Sequence, residues 1–175
     1  MQGTPLSHRL AAVWFADVVG YSARAAEDES GALQLVEILQ ALSRETVRRY
    51  EGRIAKFVGD AVLAEFPSTA LAVQAAVALS RAYLEQSVAT GHAHSLTVGV
   101  HVGDVAVGWD GDLYGDAVNA ASRIQEAAEP GQVVASQDVW RQLRGPSGVL
   151  FRTLRRSVLE RRRPHWSIRR HSRGQ

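Results

Sequence analysis

Between residues 10 and 20 the chain is almost continuously apolar. The run Leu10-Ala11-Ala12-Val13-Trp14-Phe15-Ala16-Asp17-Val18-Val19-Gly20 reads as a strand that ends by releasing one carboxylate beside a glycine. The period then changes. From Glu27 to Glu51 apolar residues recur at Leu33, Val36, Leu39, Leu42 and Val47, which predicts an amphipathic helix with Gly52 as its stop. Two short apolar runs follow, Arg53 to Phe57 and Ala61 to Phe66, and the Gly59-Asp60 pair between them has the chemistry of a tight hairpin turn, which puts Asp60 at a hairpin tip. Ser68-Thr69 offers an N-cap to an alanine-rich helix over Ala70 to Val88, closed by Gly91. Leu96 to His101 reads as a strand with Val105 to Val107 as its hairpin partner, and His101, between valines, reads as a structural histidine. Asp116 to Ala128 is a helix ended by Pro130-Gly131, with Asp116 as its cap; Val133 to Ser136 and Asp138 to Leu143 add a strand and a short helix. Strands with interspersed helices on one face describe an α+β sandwich of ferredoxin-like type.

Composition narrows the setting. A chain of 175 residues, 46% hydrophobic, is long enough for one buried core and short for two ordinary domains. Without cysteine, neither a disulfide framework nor a thiolate metal site is available. No apolar run reaches 18 residues and the N-terminus lacks a secretory core, so a cytoplasmic location is expected. The net charge of +2 hides an asymmetry. Residues 1–150 carry ten arginines and one lysine against seventeen carboxylates, a net −6, whereas residues 151–175 carry nine arginines against Glu160, a net +8. The expected organisation is therefore a folded domain over 1–150 and an Arg-rich C-terminal tail over 151–175. Such a tail reads as a solvated, poorly ordered end; its sparse aromatics and lack of a binding module argue against nucleic acid as partner, and no membrane segment is expected.

The chemistry concentrates in three blocks: Phe15-Ala-Asp17-Val-Val-Gly-Tyr-Ser22, Lys56-Phe-Val-Gly-Asp60-Ala, and Asp112-Leu-Tyr-Gly-Asp-Ala-Val-Asn119-Ala-Ala-Ser-Arg123. Taken singly, Asp17 and Asp60 are ordinary turn carboxylates. Facing each other from neighbouring strand ends, they would make a site for hard divalent cations. Asn119 and Arg123, four apart on a predicted helix, share a face. The three blocks, in this order and at these spacings, resemble the signature of the class III nucleotidyl cyclases over roughly residues 8 to 145.

The resemblance implies a fold, an activity and a set of roles. The fold is the α+β, ferredoxin-like one already expected. The activity is conversion of ATP to 3′,5′-cyclic AMP and pyrophosphate. Asp17 and Asp60, with the carbonyl of Val18, would hold two Mg²⁺ or Mn²⁺ ions that activate the ribose 3′-hydroxyl and hold the phosphates. The backbone from Val19 through Gly20, Tyr21 and Ser22 would donate amides to phosphate oxygens. Lys56, the only lysine among nineteen arginines, would donate to the adenine ring, while Asp112 accepts from its exocyclic amine. Guanine carries a carbonyl there and would leave the carboxylate facing an acceptor. Arg123 would neutralise charge on the α-phosphate and Asn119 orient the ribose.

One family feature is not found. The closing loop whose lysine contacts the triphosphate has no counterpart in residues 151–175, which contain no lysine. Arg152, Arg155 and Arg156 are the substitute cations at hand, although Arg and Lys are not interchangeable at a phosphate. A catalytically weak or inactive nucleotide-binding regulatory domain is therefore the alternative expectation. Finally, Lys56 and Asp60 lie four apart across one hairpin turn, too close to serve both ends of one ATP. The resemblance resolves this with a head-to-tail homodimer, in which one protomer supplies Asp17 and Asp60 and the other Lys56, Asp112, Asn119 and Arg123.

Overall fold

In the computed structural model, residues 7–143, 149–153 and 166–170 are described, the last two segments as backbone only. The chain folds around a strand, β1 (Ser7–Val18), that pairs antiparallel with β3 (Ala61–Phe66) on one side and β4 (Leu96–Val107) on the other. Helices α1 (Tyr21–Glu27) and α2 (Glu29–Arg49) lead to β2 (Arg53–Val58), which turns into β3 at Gly59-Asp60. Helix α3 (Thr69–Ala89) precedes β4, and a two-residue strand, β5 (Leu113–Tyr114), folds back on the end of β4. Then come α4 (Asp116–Glu126), β6 (Val133–Ala135), α5 (Gln137–Leu143), β7 (Val149–Thr153) and β8 (Trp166–Arg170). The strand order is β2-β3-β1-β4-β6-β8-β7, with β5 on β4.

Alternation along β1 divides the core. Ala12, Trp14, Ala16 and Val18 join Leu35 and Leu39 of α2 and Val73, Ala76 and Leu79 of α3 in the larger cluster. Ala11 and Val13 face the other way and pack with Leu63, Val105, Leu113 and the α4 residues Ala117 and Ala121. The expected α+β class is thus observed, with two corrections: the helices were expected on one face, yet α4 lies on the face opposite α2 and α3, and the sheet, expected to be antiparallel, is mixed because β6 runs parallel to β4. The parallel pairing needs a crossover, and α4 supplies it.

Three local expectations are corrected. The helix expected over 27–51 is α2, two residues shorter at each end, because Asp28 is extended (φ −150°) and caps it by accepting the Gly31 N–H at 2.9 Å while pairing with Arg24 at 2.5 Å; the short α1 before it was not expected. The strand and hairpin partner expected over 96–107 are one continuous strand, β4. Two of its glycines make room for α4: a Cβ at Gly99 would stand 2.2 Å from the Ala121 carbonyl oxygen and one at Gly103 would stand 3.1 Å from the Ala117 Cβ. Asp116 is the first residue of α4 and not its cap; that position is taken by Gly115, without a side-chain hydrogen bond. At the other end, β7 spans the boundary drawn at residue 150, β7 and β8 pair antiparallel with each other, and β8 pairs with β6. Arg155 and Arg156 lie outside the described residues, and for Arg152 only the backbone is described.

Candidate active site

Register brings the two metal-ligand candidates together. Asp17, the penultimate residue of β1, is opposite Ala61, the first residue of β3, so Asp60 in the turn is its immediate neighbour across the ladder. The Val18 N–H donates to the Asp60 carbonyl at 3.2 Å and locks the turn to the strand. Burial, followed by the charge and hydrogen bond of Asp60, pushes the Asp17 carboxyl up to about 6, against an opposing hydrogen bond from the Val18 backbone. Two carboxylates held this close, with no ion-pair partner among the described residues, are a donor set that a hard cation would relieve, so the residues fit the expected divalent ions. No cluster of three or more His, Cys, Asp or Glu side chains able to hold a metal exists among the described residues. An ion held there would take its remaining ligands from backbone carbonyls such as that of Val18, from water and from phosphate oxygens.

This pair has a stability consequence. The folded chain holds the Asp17 proton more tightly than the unfolded chain, so in chelator-containing buffer stability falls as pH rises from about 4 to about 6 and stays reduced above that. Asp17→Asn removes the charge, and above pH 6 the variant should be more stable than the parent by on the order of 1–2 kcal/mol after solvent screening. The gap should close below pH 4, and Mn²⁺ should raise the melting temperature of the parent alone. Urea titrations at pH 3.5 and 8 measure this; equal stability of the two chains at pH 8 contradicts a charge-strained pair.

Gly20, at φ 75°, starts α1 with no side-chain cap, and its carbonyl accepts from Arg24. The first amides of α1, those of Tyr21 and Ser22 among them, therefore have no intrahelical acceptor. Tyr21 anchors the turn by packing on the larger core. His94 adds a brace, its Nδ1 donating to the Val19 carbonyl at 2.9 Å.

Lys56 and Asp112, fifty-six residues apart, meet directly: Nζ donates to Oδ2 at 2.7 Å, and Lys56 lies 5.7 Å from the Tyr114 ring centre. The other carboxylate oxygen of Asp112 accepts from the Leu113 N–H at 2.7 Å. Asn119 and Arg123 lie on one face of α4, as their spacing predicts; both stand exposed, and neither side chain has a partner among the described residues. The ten sequence-predicted residues thus form three groups: the Asp17–Asp60 pair with the α1 turn, the Lys56–Asp112 pair, and the exposed edge of α4. Among the described residues no side-chain hydrogen bond or ion pair joins one group to another. A cavity of about 520 Å³ between β4, α4 and α5 contains none of the ten.

Sequence reasoning missed His94, Arg53, Glu65 and Tyr114. Tyr114 sits inside the third block and could have been singled out there; the other three are visible only through contacts distant in sequence.

The profile of the adenylate and guanylate cyclase catalytic domain matches residues 5–163. The chain is 38% identical over 153 residues to putative adenylate cyclase 3 of Rhizobium meliloti, covering 83% of this chain and 25% of that protein. It is 35% identical over 133 residues to an adenylate cyclase of Glutamicibacter nicotianae, covering 75% and 32%. It therefore spans about a quarter to a third of these relatives' length. The adenylate/guanylate cyclase/hydrolase structure from Silicibacter pomeroyi superposes with a TM-score of 0.79 at 29% identity, over 93% of this chain and 98% of that one. The adenylyl cyclase CyaB from P. aeruginosa superposes at 0.82 with 23% identity, over 97% and 98%. The guanylyl cyclase Cya2 superposes at 0.80 with 19% identity, over 94% of each chain. No helix among the described residues is long and apolar enough to cross a membrane. With a profile match over nearly its whole length on top of this fold, the chain belongs to the adenylate and guanylate cyclase catalytic domain family.

Proposed function

We propose that this domain converts ATP to 3′,5′-cyclic AMP and pyrophosphate at sites shared between two copies of the chain. The observation that carries the choice of ATP is the Lys56–Asp112 pair, a donor and an acceptor 2.7 Å apart on one surface. Side by side they match the adenine edge, which offers a ring acceptor next to an amine donor; guanine would oppose the Asp112 carboxylate with a carbonyl. Asp112 keeps acceptor capacity for this, since each carboxylate oxygen has a second lone pair.

The reaction joins the ribose 3′-oxygen to the α-phosphorus, breaks the α–β phosphoanhydride bond and releases the 3′-hydroxyl proton with pyrophosphate. Two Mg²⁺ or Mn²⁺ ions, bound through Asp17 and Asp60, would supply the lowered hydroxyl pKa and the neutralisation of phosphate charge. The amides of Tyr21 and Ser22 would hold phosphate oxygens, Arg123 would meet charge growing on the α-phosphate, and Asn119 would fix the ribose. Sharing between copies is supported by the separation of the three groups within one chain. A head-to-tail dimer would bring the carboxylate pair of one copy to Lys56, Asp112, Asn119 and Arg123 of the other.

Purified protein assayed with Mn²⁺ should form cyclic AMP from ATP, with cyclic GMP from GTP slower by about 100-fold or more. Lys56→Glu with Asp112→Cys should remove most ATP turnover and leave GTP turnover far less affected. Equal losses for both nucleotides would falsify base recognition by this pair. The lack of any lysine in residues 151–175 favours a second reading, a nucleotide-binding regulatory domain. Selective ATP binding without cyclic AMP formation would establish that reading instead.

A further inference from the structure

We infer that Arg53 is a positioning residue for nucleobase selection, holding the loop that carries Asp112 against Lys56. This rests on the reading of Lys56 and Asp112 as the base-recognising pair.

The first observation is a β-bulge. In the β2–β3 ladder Arg53 is opposite Glu65 and Lys56 opposite Leu63, with the register shift between Ile54 and Lys56. Three steps on β2 therefore match two on β3. In a regular strand residues three apart point to opposite faces, but here the extra residue turns Arg53 and Lys56 to the same face, that of Glu65 and Leu63. Both side chains can then reach the loop between β4 and β5.

What Arg53 does there is set at its other end. Its Nε donates to Glu65 Oε1 at 2.6 Å and its Nη1 to the Gly111 carbonyl at 2.6 Å. Glu65 is a fixed anchor: its side chain is only 8% exposed, and Arg9 donates to the same oxygen at 2.5 Å. Burial pushes the Glu65 carboxyl up, but the hydrogen bonds and charges of Arg9 and Arg53 outweigh it and hold the group below the ordinary range. A guanidinium bound through two nitrogens cannot swing, so its fork transmits the position of β3 to the loop.

The loop is built to receive it. Gly111 has φ 81°, a conformation that strains any other residue, and a Cβ there would stand 3.2 Å from Arg53 Nη1. Gly111 N–H returns to the Gly108 carbonyl, Gly108 N–H to the Asp112 carbonyl, and Asp112 N–H to the Asp110 side chain. The loop thus moves as one piece, and Asp112 follows the carbonyl that Arg53 holds. Lys56 and Arg53 grip adjacent residues, the first by its own contact with Asp112 and the second without touching the base.

The test uses Arg53→Lys and Arg53→Ala beside Asp112→Ala, with kcat and KM for ATP and GTP and with melting temperatures. Lysine keeps a charge for Glu65 but cannot also bridge to Gly111, so both Arg53 variants should lower the ATP-to-GTP ratio of kcat/KM by about tenfold. The loss should fall mainly in the KM for ATP, with GTP kinetics near the parent's. If Arg53→Ala does not fold, Arg53→Lys alone decides. A parent that does not discriminate, or an Asp112→Ala variant with an unchanged ratio, overturns the base-recognition reading and the brace with it. Asp112→Ala shifted with Arg53→Lys unshifted overturns the brace alone, as does full rescue of the ratio by lysine.

Discussion

Replacing Asp17 or Asp60 with alanine should lower cyclic AMP formation by ~10³-fold or more, with the fold retained. Each loss removes several kcal/mol of transition-state stabilisation, because one carboxylate cannot hold two divalent ions alone. The structure adds a reason to expect an intact fold. Both residues lie at the end of the β1–β3 ladder and outside the two buried clusters. Their proximity strains the metal-free chain, since burial and Asp60 together raise the Asp17 carboxyl. Turnover is measured at saturating Mn²⁺, with melting temperature as the control for folding. Either variant retaining near-parental activity refutes metal binding by the pair.

Mixing inactive Asp17→Ala chains with inactive Asn119→Ala chains should restore roughly a quarter of parental activity, the second large effect. Asp17 belongs to the carboxylate group and Asn119 to the exposed edge of α4, and among the described residues no side-chain hydrogen bond or ion pair joins the two groups within one chain. If two copies meet head to tail, a mixed dimer has one site with both lesions and one with none. Random exchange makes about half the dimers mixed, each with one good site of two. Native mass measurements establish that mixed dimers have formed. A mixture that contains them and stays inactive places Asp17 and Asn119 in the same site and removes the shared arrangement.

Much of this site was legible because its elements are local. The β2–β3 hairpin follows from two apolar runs around Gly59-Asp60, and it places Asp60 at the tip as predicted. The Ser68 cap follows from its position before an apolar helix, and its side chain accepts the Leu71 N–H at 3.2 Å. Asn119 and Arg123 share an exposed helical edge because their spacing is a property of any helix. The misreadings arose where one residue type serves two purposes. Gly103-Asp104 has the chemistry of a turn, yet the glycine is there so that α4 can lie on β4; whether a glycine bends a chain or admits a neighbour depends on what packs against it. Asp28 was read into a helix, yet it stands just before one as its cap, because its side chain takes the Gly31 amide.

By itself the sequence determined the α+β class, the hairpin that presents Asp60, the face shared by Asn119 and Arg123, and the three blocks that mark the family. All of these depend on residues close together in the chain, where spacing and turn chemistry act directly. Only the tertiary structure decided that α4 covers the second face of the sheet, that burial and the neighbouring Asp60 raise the Asp17 carboxyl, and that Lys56 meets Asp112. It alone revealed the bulge that turns Arg53 and Lys56 to one face and the Glu65–Arg53–Gly111 chain behind them. These are contacts between residues far apart in sequence, set by strand register and burial. A one-residue shift in register would move each side chain to the other face without changing any local pattern.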